Sequence, residues 1–444
     1  IHTEASQKLL NLCRTNKGVF VKVGQHIGTL EYLVPSEYVA TMKTLHSQAP
    51  YSPLEDVYKV IREELRKEPT DIFSEFESEP LGAASLAQVH KAKLKDGRIV
   101  AVKVQHPYVQ SSSKIDMKIL QVLVQLVSWT FPDFHFQWLV DESNKNIPRE
   151  LNFSEELDNT LKAKQMFQHL PWLKVPGVYN DLSTGRVLTM EYVEGGQVND
   201  IDYMMSHNID PFEVSDKLGE LYSEMIFKQG FIHSDPHPGN ILVAKSSSGQ
   251  ADIILLDHGL YAELSESVRA EYSGLWLSIL NKDMDSMKKH SEALGAGSLY
   301  DLFVCMVSGR TWSSIKSGIT TTKQDSSEKE EFQRDIPKVL PYIFKTLAIV
   351  NRELLLILKT NDLLRGIECT LQTQNRMSAY MVMSKFCVRS VYDNRIKLCT
   401  DRISKLGNYI AQQWALFKIS LYYTYLSICT SSLNRKLMEI FSCL

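Results

Sequence analysis

Two carboxylates, one side-chain amide and one lysine carry the chemistry that this sequence offers. Asp235 lies within Phe231-Ile-His-Ser-Asp-Pro-His-Pro-Gly-Asn-Ile-Leu-Val243, with Asn240 five residues on; Asp257 follows seventeen residues later in Leu256-Asp-His-Gly259. Together they form a set of hard oxygen donors. Phosphoryl transfer needs such a set: one group to orient or deprotonate an acceptor, and two oxygens to hold magnesium on nucleotide phosphates. Lys103, at the end of Val100-Ala-Val-Lys, adds an ammonium that suits the phosphates. The bland alternative is a proline-broken turn followed by a buried strand that happens to end in Asp. Asp257 closing an apolar run argues against it.

Composition narrows the partners. The chain has 444 residues, 44% of them apolar and 23% charged, with a formal net charge of −3. That length allows two or three units with real cores. The charge balance gives no bias toward polyanions, so nucleic acid is excluded as the first partner to consider. Cys13, Cys305, Cys369, Cys387, Cys399, Cys429 and Cys443 are scattered without a Cys-x-x-Cys pair. Neither a zinc site nor a disulfide framework is expected. No apolar run reaches 18 residues, and Trp414–Cys429, rich in aromatics but holding Lys418, reads as an amphipathic tail helix packed on the body. The chain starts at Ile1, so no targeting segment is read.

The elements that must position the chemistry follow from period and turn signals. Residues 4–70 have a helical pattern with breaks at Pro35 and Pro50. Within it Lys22 and Gln25 share a helix face, and Gly24 permits close approach. Leu86–Leu94 and Arg98–Gln105 flank Asp96-Gly97, a strong hairpin signal. On the second strand Ile99, Ala101 and Lys103 face one way and Val100, Val102 and Val104 the other. Ala101 leaves room for a flat base while Lys103 reaches phosphate. The turn before the hairpin, Gly82-Ala-Ala-Ser85, should cover phosphates, although its alanines restrict positive φ and backbone approach. Ile115, Ile119, Leu120, Leu123, Leu126 and Val127 are spaced as an amphipathic helix over 114–130. Next comes Glu150-Leu-Asn-Phe-Ser-Glu-Glu156, from which Glu156, with Glu150 and Glu155 as rivals, is chosen to hold Lys103. Arg186–Val193 is a strand leading into Glu194-Gly-Gly196, where backbone around Glu191 to Val193 would meet an adenine and the glycines would free the crossing.

Asp210-Pro211 and Gly230 bracket a helix that delivers the chain into the His233 loop. Ile241–Lys245 and Ala251–Leu256 make a second hairpin. His233 reads as a packing and orienting residue, and His237 as either that or a proton carrier. Past Gly259 the pattern is helical at once, over Glu263–Leu280, with no Ala-Pro-Glu and no long activation segment. Protein kinases use that segment as a peptide platform, so a protein substrate is disfavoured. Thr320–Lys338 reads as a mobile loop, and helices resume at Arg352–Lys359.

His-x-Asp-x-x-x-x-Asn followed by Asp-x-Gly is the catalytic-loop and metal-loop pattern of kinase-like folds. Taken with Lys22-x-Gly-Gln25, Gly82–Ser85, Ser85-Leu-Ala-Gln-Val-His90, Val-Ala-Val-Lys103, the Glu150 segment, Asp257-His-Gly and Leu358-Lys-Thr-Asn-Asp-Leu-Leu-Arg-Gly366, it resembles the UbiB/ADCK family of atypical kinase-like proteins over nearly the whole chain, most closely its aarF domain-containing kinase 1 branch. The resemblance implies an α+β, two-lobed protein-kinase-like fold with helical extensions at both ends. It places the N-terminal extension at 1–75, an N-lobe with inserted helices at 76–195, a helical C-lobe at 196–395 and a helical tail at 396–444. It implies ATP/ADP and Mg2+ as cofactors. Lys103 would bind the α/β-phosphates, Asn240 and Asp257 the metal, and Asp235 the acceptor. Gly82, Ala83, Ala84, Ser85, Ala101, Glu191 and Val193 would line the nucleotide. Lys22, Gln25 and Glu150 would regulate the site from an extension covering the place where a peptide would bind. Mitochondrial location, a lipid membrane or lipid-like partner, mitochondrial protein partners, and roles in mitochondrial organisation and lipid and coenzyme Q homeostasis are also implied. The family's Glu-x-Asp is here Glu150-Leu-Asn152, one carboxylate short. Three functions therefore compete. They are an Mg-dependent ATPase or phosphotransferase, a catalytically silent nucleotide-responsive scaffold, and a small-molecule kinase of the choline or aminoglycoside type.

Overall fold

Local stereochemistry builds the first half of the chain. In the computed structural model, residues 2–28, 34–46, 51–130, 137–317, 342, 346, 350, 352–373 and 378–430 are described. They fall into two compact units, Ile1–Gln197 with Gly239–Tyr261, and Val198–Pro238 with Ala262–Leu444. Asn240 and Asp257 thus belong to the first unit, and Asp235 to the second.

The first unit opens with α1 (His2–Asn16), α2 (Gly18–Gly28) and α3 (Ser36–Lys43), which pack through Leu10, Cys13, Val21, Met42 and Leu45. Pro35 sits at the N-cap of α3; Pro50 lies outside the described residues. Gly24 serves side-chain packing rather than backbone approach: a Cβ there would fall 2.6 Å from Leu45 Cδ1 and 3.0 Å from Cys13 Sγ. After α4 (Leu54–Leu65) and the single turn α5 (Pro69–Ile72) come β1 (Phe73–Phe76), β2 (Gly82–Ala83), β3 (Ala87–Leu94) and β4 (Ile99–Gln105). Gly97 takes φ +91° in the β3–β4 turn, which only a residue without a Cβ adopts freely. The two faces of β4 divide as a period of two demands. Val100, Val102 and Val104 are buried with Val57 and Ile61 of α4, while Ala101 is buried with Phe153, Leu188 and Met190.

Three helices follow, α6 (Val109–Thr130), α7 (Gln137–Glu150) and α8 (Phe153–Met166), then β5 (Leu173–Lys174), β6 (Val187–Glu191) and β7 (Gly196–Gln197). The sheet order is β1-β3-β4-β6, with β2 on β3. The expected amphipathic helix over 114–130 forms, but with most of its stripe turned outward. Ile115, Ile119, Leu123 and Leu126 are exposed, whereas Val109 and Met117 are buried and Leu120 and Val124 pack on them.

In the second unit, α9 (Ile201–Ser206) leads to α10 (Pro211–Glu224), where Asp210 accepts from Phe212 N, Pro211 fills the first turn, and Gly230 at φ +67° ends the run before β8 (Phe231–His233). The chain then supplies the first unit with β9 (Ile241–Lys245) and β10 (Ala251–Leu255), the expected hairpin, paired so that Leu255 faces Ile241. Their sheet runs β5-β10-β9-β7. Gly195, one of the glycines expected to free the crossing, is closely packed. A Cβ on Gly195 would lie 2.9 Å from Val243 O and 3.2 Å from Ile254 Cδ1, so the residue is small because backbone presses on it. Gly195→Ala is expected to destabilise by about 1–3 kcal/mol in chemical denaturation. Gly82→Ala, with nothing within 4 Å of its added Cβ, should stay within about 0.5 kcal/mol of the parent. Equal losses in both would remove the packing explanation.

Where helix was expected from Glu263, the chain first forms a short strand, β11 (Tyr261–Glu263). The remaining elements among the described residues of the second unit are helical: α11 (Glu266–Asn281), α12 (Met284–Ala293), α13 (Tyr300–Ser308), α14 (Trp312–Ser317), α15 (Arg352–Thr370), α16 (Ser378–Leu398) and α17 (Arg402–Thr430). Leu218, Tyr222, Tyr272, Trp276, Phe303, Ile357 and Cys387 are buried here, and α10 and α11 pack on α16. The expected loop over Thr320–Lys338 lies outside the described residues. The tail helix packs on α16, as expected, while Ile403, Leu406, Ile410, Trp414, Phe417 and Leu421 are exposed. Among the described residues, no helix is long and apolar enough to cross a membrane.

Candidate nucleotide and phosphoryl-transfer site

Lys103 is the centre of the first unit's polar cluster. Period two points its side chain to the same face as Ala101, where α8 crosses. Its Nζ lies 2.7 and 2.8 Å from the two oxygens of Glu156 and 2.9 Å from Asp257 Oδ2. The Phe153 ring is centred 5.1 Å from the same nitrogen. Glu156 is almost wholly buried, and Asp257 is more open. Burial by itself would depress the Lys103 ammonium, but Asp257 and Glu156 outweigh it and hold its pKa above the ordinary lysine value. Burial pushes the Glu156 carboxyl up to about 7, against the pull of Lys103.

Three glutamates within seven residues are sorted by the turn of one chain segment. Glu156, buried on α8, takes Lys103. Glu150, at the end of α7, lies 2.6 Å from Lys22 Nζ. Glu155 points to Arg149 at 3.5 Å and receives the Asn152 amide at 3.3 Å. Asn152 itself caps α8, accepting from Ser154 N at 3.3 Å. Lys22 therefore meets a carboxylate without one at position 152. Gln25 is buried and donates to Leu45 O at 3.0 Å, a bond to the N-terminal helices.

The β9–β10 hairpin brings the two expected metal donors to one end. Leu256 N donates to Asn240 O at 2.9 Å, immediately before Asp257. Asp257 Oδ1 accepts from Gly259 N at 2.9 Å, which fixes the carboxylate. His258 is a core residue. Its Nε2–H donates to Leu255 O at 3.1 Å, and its Nδ1 receives the Tyr261 hydroxyl at 2.8 Å. Asn159, three residues after Glu156 and so on the same helix face, donates to His258 O at 3.0 Å. One helix thus holds both the lysine partner and the segment after Asp257, a role of Asn159 that no motif announced. A carboxylate and an amide at one hairpin end suit Mg2+, which keeps several waters and takes few protein oxygens. Among the described residues, no cluster of three or more His, Cys, Asp or Glu suits a metal.

The segment expected to cover phosphates is a short hairpin with a pinned turn, not an open loop. Gly82 and Ala83 pair with Val89 and Gln88, and Ala84 N donates to Ala87 O at 2.8 Å. His106 holds the turn from beneath: its Nε2–H donates to Ala84 O at 3.2 Å, while the Ser52 hydroxyl donates to its Nδ1 at 2.9 Å. Gln88 closes the network, accepting from Ser52 N at 2.6 Å and donating to Ser52 O at 3.1 Å. Ser85 is buried. At the other edge, the Glu191 backbone N–H is engaged within the protein. It donates to Gly177 O at 2.7 Å, and the Glu191 carboxylate accepts from Gly177 N at 3.1 Å. Tyr192 N donates to Ile99 O at 3.4 Å, so the β6 ladder uses these groups up to the half-buried Val193.

In the second unit, Asp235 Oδ1 receives Lys359 Nζ at 2.9 Å, and Asp235 O accepts from His237 N at 2.7 Å. His233 is buried and lies 3.2 Å from the Tyr222 hydroxyl, as a packing and orienting residue would. Lys359 carried no assigned role in the sequence reading, although the stretch around it was part of the resemblance.

Comparison with known proteins agrees with this architecture. Residues 44–291 match the ABC1 atypical kinase-like domain. AarF domain-containing kinase 1 of Drosophila melanogaster is 52% identical over 443 residues, covering 99% of this chain and 86% of that protein. AarF domain-containing protein kinase 1 of Mus musculus is 49% identical over 423 residues, covering 95% and 81%. The solved complex of Rv3197 with erythromycin from Mycobacterium tuberculosis shares the fold at a TM-score of 0.50 and 23% identity, over 83% of this chain and 92% of that chain. The fold is thus an α+β kinase-like one with a helical C-terminal region. On these grounds the chain belongs to the ABC1 family of atypical kinase-like proteins.

Proposed function

We propose that the chain binds Mg-ATP and acts as an atypical phosphotransferase or ATPase. The observation that carries this is the buried Lys103 ammonium set between Glu156 and Asp257. A charged lysine this enclosed costs desolvation, and a phosphate-binding role explains why it is kept. In this reading Lys103 binds the α/β-phosphates and Glu156 keeps it in place. The Gly82–Ser85 turn covers the phosphates, Ala101 leaves room for the base, and backbone at Val193 meets it. Asp257 and Asn240 would hold magnesium, which would supply charge neutralisation to the phosphates. Asp235 orients the acceptor and takes its proton. The acceptor is water or a hydroxyl of a lipid or small molecule, because α11 starts at Glu266 and leaves little chain after Asp257 for a peptide platform. Lys22, Glu150 and Gln25 regulate access from the N-terminal helices. By family resemblance the chain works in mitochondria, in lipid and coenzyme Q homeostasis.

The test is ATP turnover by the purified chain with and without lipid vesicles, preceded by Mg-ATP titration calorimetry. Binding with turnover supports the enzyme; absence of Mg-ATP binding removes the whole reading. A silent nucleotide-responsive scaffold is the second reading, favoured by the direct bond from Lys103 to Asp257 Oδ2, the carboxylate that magnesium needs. It predicts that an Asp235→Asn variant at normal protein level rescues a null cell line.

A further inference from the structure

We propose that Lys359 is a further catalytic residue, whose ammonium supplies positive charge to the phosphoryl group in transit beside Asp235. The proposal rests on the phosphotransfer reading above. Its first ground is a deficit: residues 231–243, which carry Asp235, contain neither Lys nor Arg. The residue before Asp235 is the wholly buried Ser234, whose hydroxyl is spent on Ile232 O at 3.1 Å. A loose phosphoryl transition state spreads charge over three equatorial oxygens and needs cations aimed at them. This loop brings a carboxylate and none of the balancing charge.

The second ground is geometric. Lys359 extends from α15 with its Nζ 2.9 Å from Asp235 Oδ1, although 124 residues separate the two in sequence. Ile357, Leu358 and Thr360 around it are buried, and the Thr360 hydroxyl is spent on Leu356 O, while the Lys359 side chain stays partly open. The pair is partly open, at 21% and 27% side-chain exposure, which leaves both groups reachable by a ligand. An acceptor oxygen hydrogen-bonded to the Asp235 carboxylate at about 2.7 Å sits within roughly 5–6 Å of that nitrogen. The oxygens of the phosphorus under attack then come within reach of a flexible four-carbon stem. In the step, the acceptor O–H gives its proton to Asp235 and its oxygen bonds to the γ-phosphorus. The bond from that phosphorus to the β–γ bridging oxygen breaks, and its electron pair leaves with ADP. Lys359 loses no proton; it swings part of its charge from Asp235 to the equatorial oxygens. A lysine that only tied α15 to the loop would have none of this effect.

The two roles separate in Lys359→Met and Lys359→Arg variants of the full chain, probed with Mg-ADP, with Mg-ADP plus fluoroaluminate as a mimic of the transferring phosphoryl, and by melting without nucleotide. Wild type should bind the fluoroaluminate complex more tightly than Mg-ADP. Lys359→Met should lose about ten-fold or more of that increment, with Mg-ADP affinity held within about two-fold. Turnover should fall in kcat by about 10²–10³-fold with little change in KM, and Lys359→Arg should recover most of it. Retention of the full increment by Lys359→Met overturns the proposal, as does a loss that merely tracks a lower nucleotide-free Tm. Wild type that binds Mg-ADP but gains nothing from fluoroaluminate also overturns it, and leaves nucleotide binding standing. Wild type that binds no Mg-ADP defeats the underlying reading as well.

Discussion

Lys103→Met is expected to abolish Mg-ATP binding and to lower stability in the same protein. Methionine keeps the length of the side chain and removes the ammonium that Glu156 and Asp257 share at 2.7–2.9 Å. Glu156, only 3% exposed, is left as an uncompensated buried carboxylate. Breaking a buried pair from one side costs about 3–5 kcal/mol. Asp257, 37% exposed, adds little to that loss because solvent screens it. In a unit of this size each kcal/mol lowers Tm by about 2–4 °C. The companion variant Lys103→Met/Glu156→Gln separates the two effects. It removes the stranded charge, so the Tm should largely return while binding does not. Calorimetry and thermal melting on the three proteins read both outcomes. A single variant that still bound Mg-ATP within about three-fold of wild type would show that Lys103 does not touch phosphate.

Asp257→Asn should do the reverse: leave the fold intact and remove the response to magnesium. Asparagine keeps an oxygen to accept from Gly259 N, and Lys103 keeps both oxygens of Glu156. The change also withdraws a negative neighbour that helps raise the Glu156 carboxyl. Stability should therefore shift by no more than about 1 kcal/mol. A neutral amide is a poor substitute for a carboxylate at a hard dication. Nucleotide affinity should then cease to rise with Mg2+, and turnover should drop by about 10²–10³-fold. Magnesium titration at fixed nucleotide checks this. An unchanged magnesium dependence would assign the metal to other oxygens and dissolve the role given to this loop. The opposite signatures matter, since one variant loses stability and the other does not.

Much of the fold was readable because its causes lie within a few residues. Asp96-Gly97 turns one hairpin, Asp210-Pro211 and Gly230 bound a helix, and alternation along 99–105 sends the valines and Lys103 to opposite faces. The site was half readable. The spacing from Asp235 to Asn240 and the strand before Asp257 marked the candidate donors, yet Glu150, Glu155 and Glu156 were rivals until the turn of α8 and Lys22 sorted them. Asn159 and His106 with Ser52 carried no local signal, and Lys359 stood out only as part of the Leu358–Gly366 stretch, without a role.

Periodicity tells which side chains share a face and is silent on what that face meets. The stripe of α6 was legible, yet Ile115, Ile119, Leu123 and Leu126 turned outward while Leu120 packed inward, and Trp414 and Phe417 of α17 are exposed. Glycine was likewise recognisable at position 195, whereas its reason, the Val243 carbonyl pressed against it, came from a strand nearly fifty residues away. Sequence alone thus determined the strands, the turns and the chemical kinds of the functional groups, since backbone sterics and side-chain chemistry are local. Which carboxylate neutralises which lysine, and which surface becomes core, was decided only when distant segments packed, because Coulomb attraction and desolvation depend on separation in space rather than along the chain.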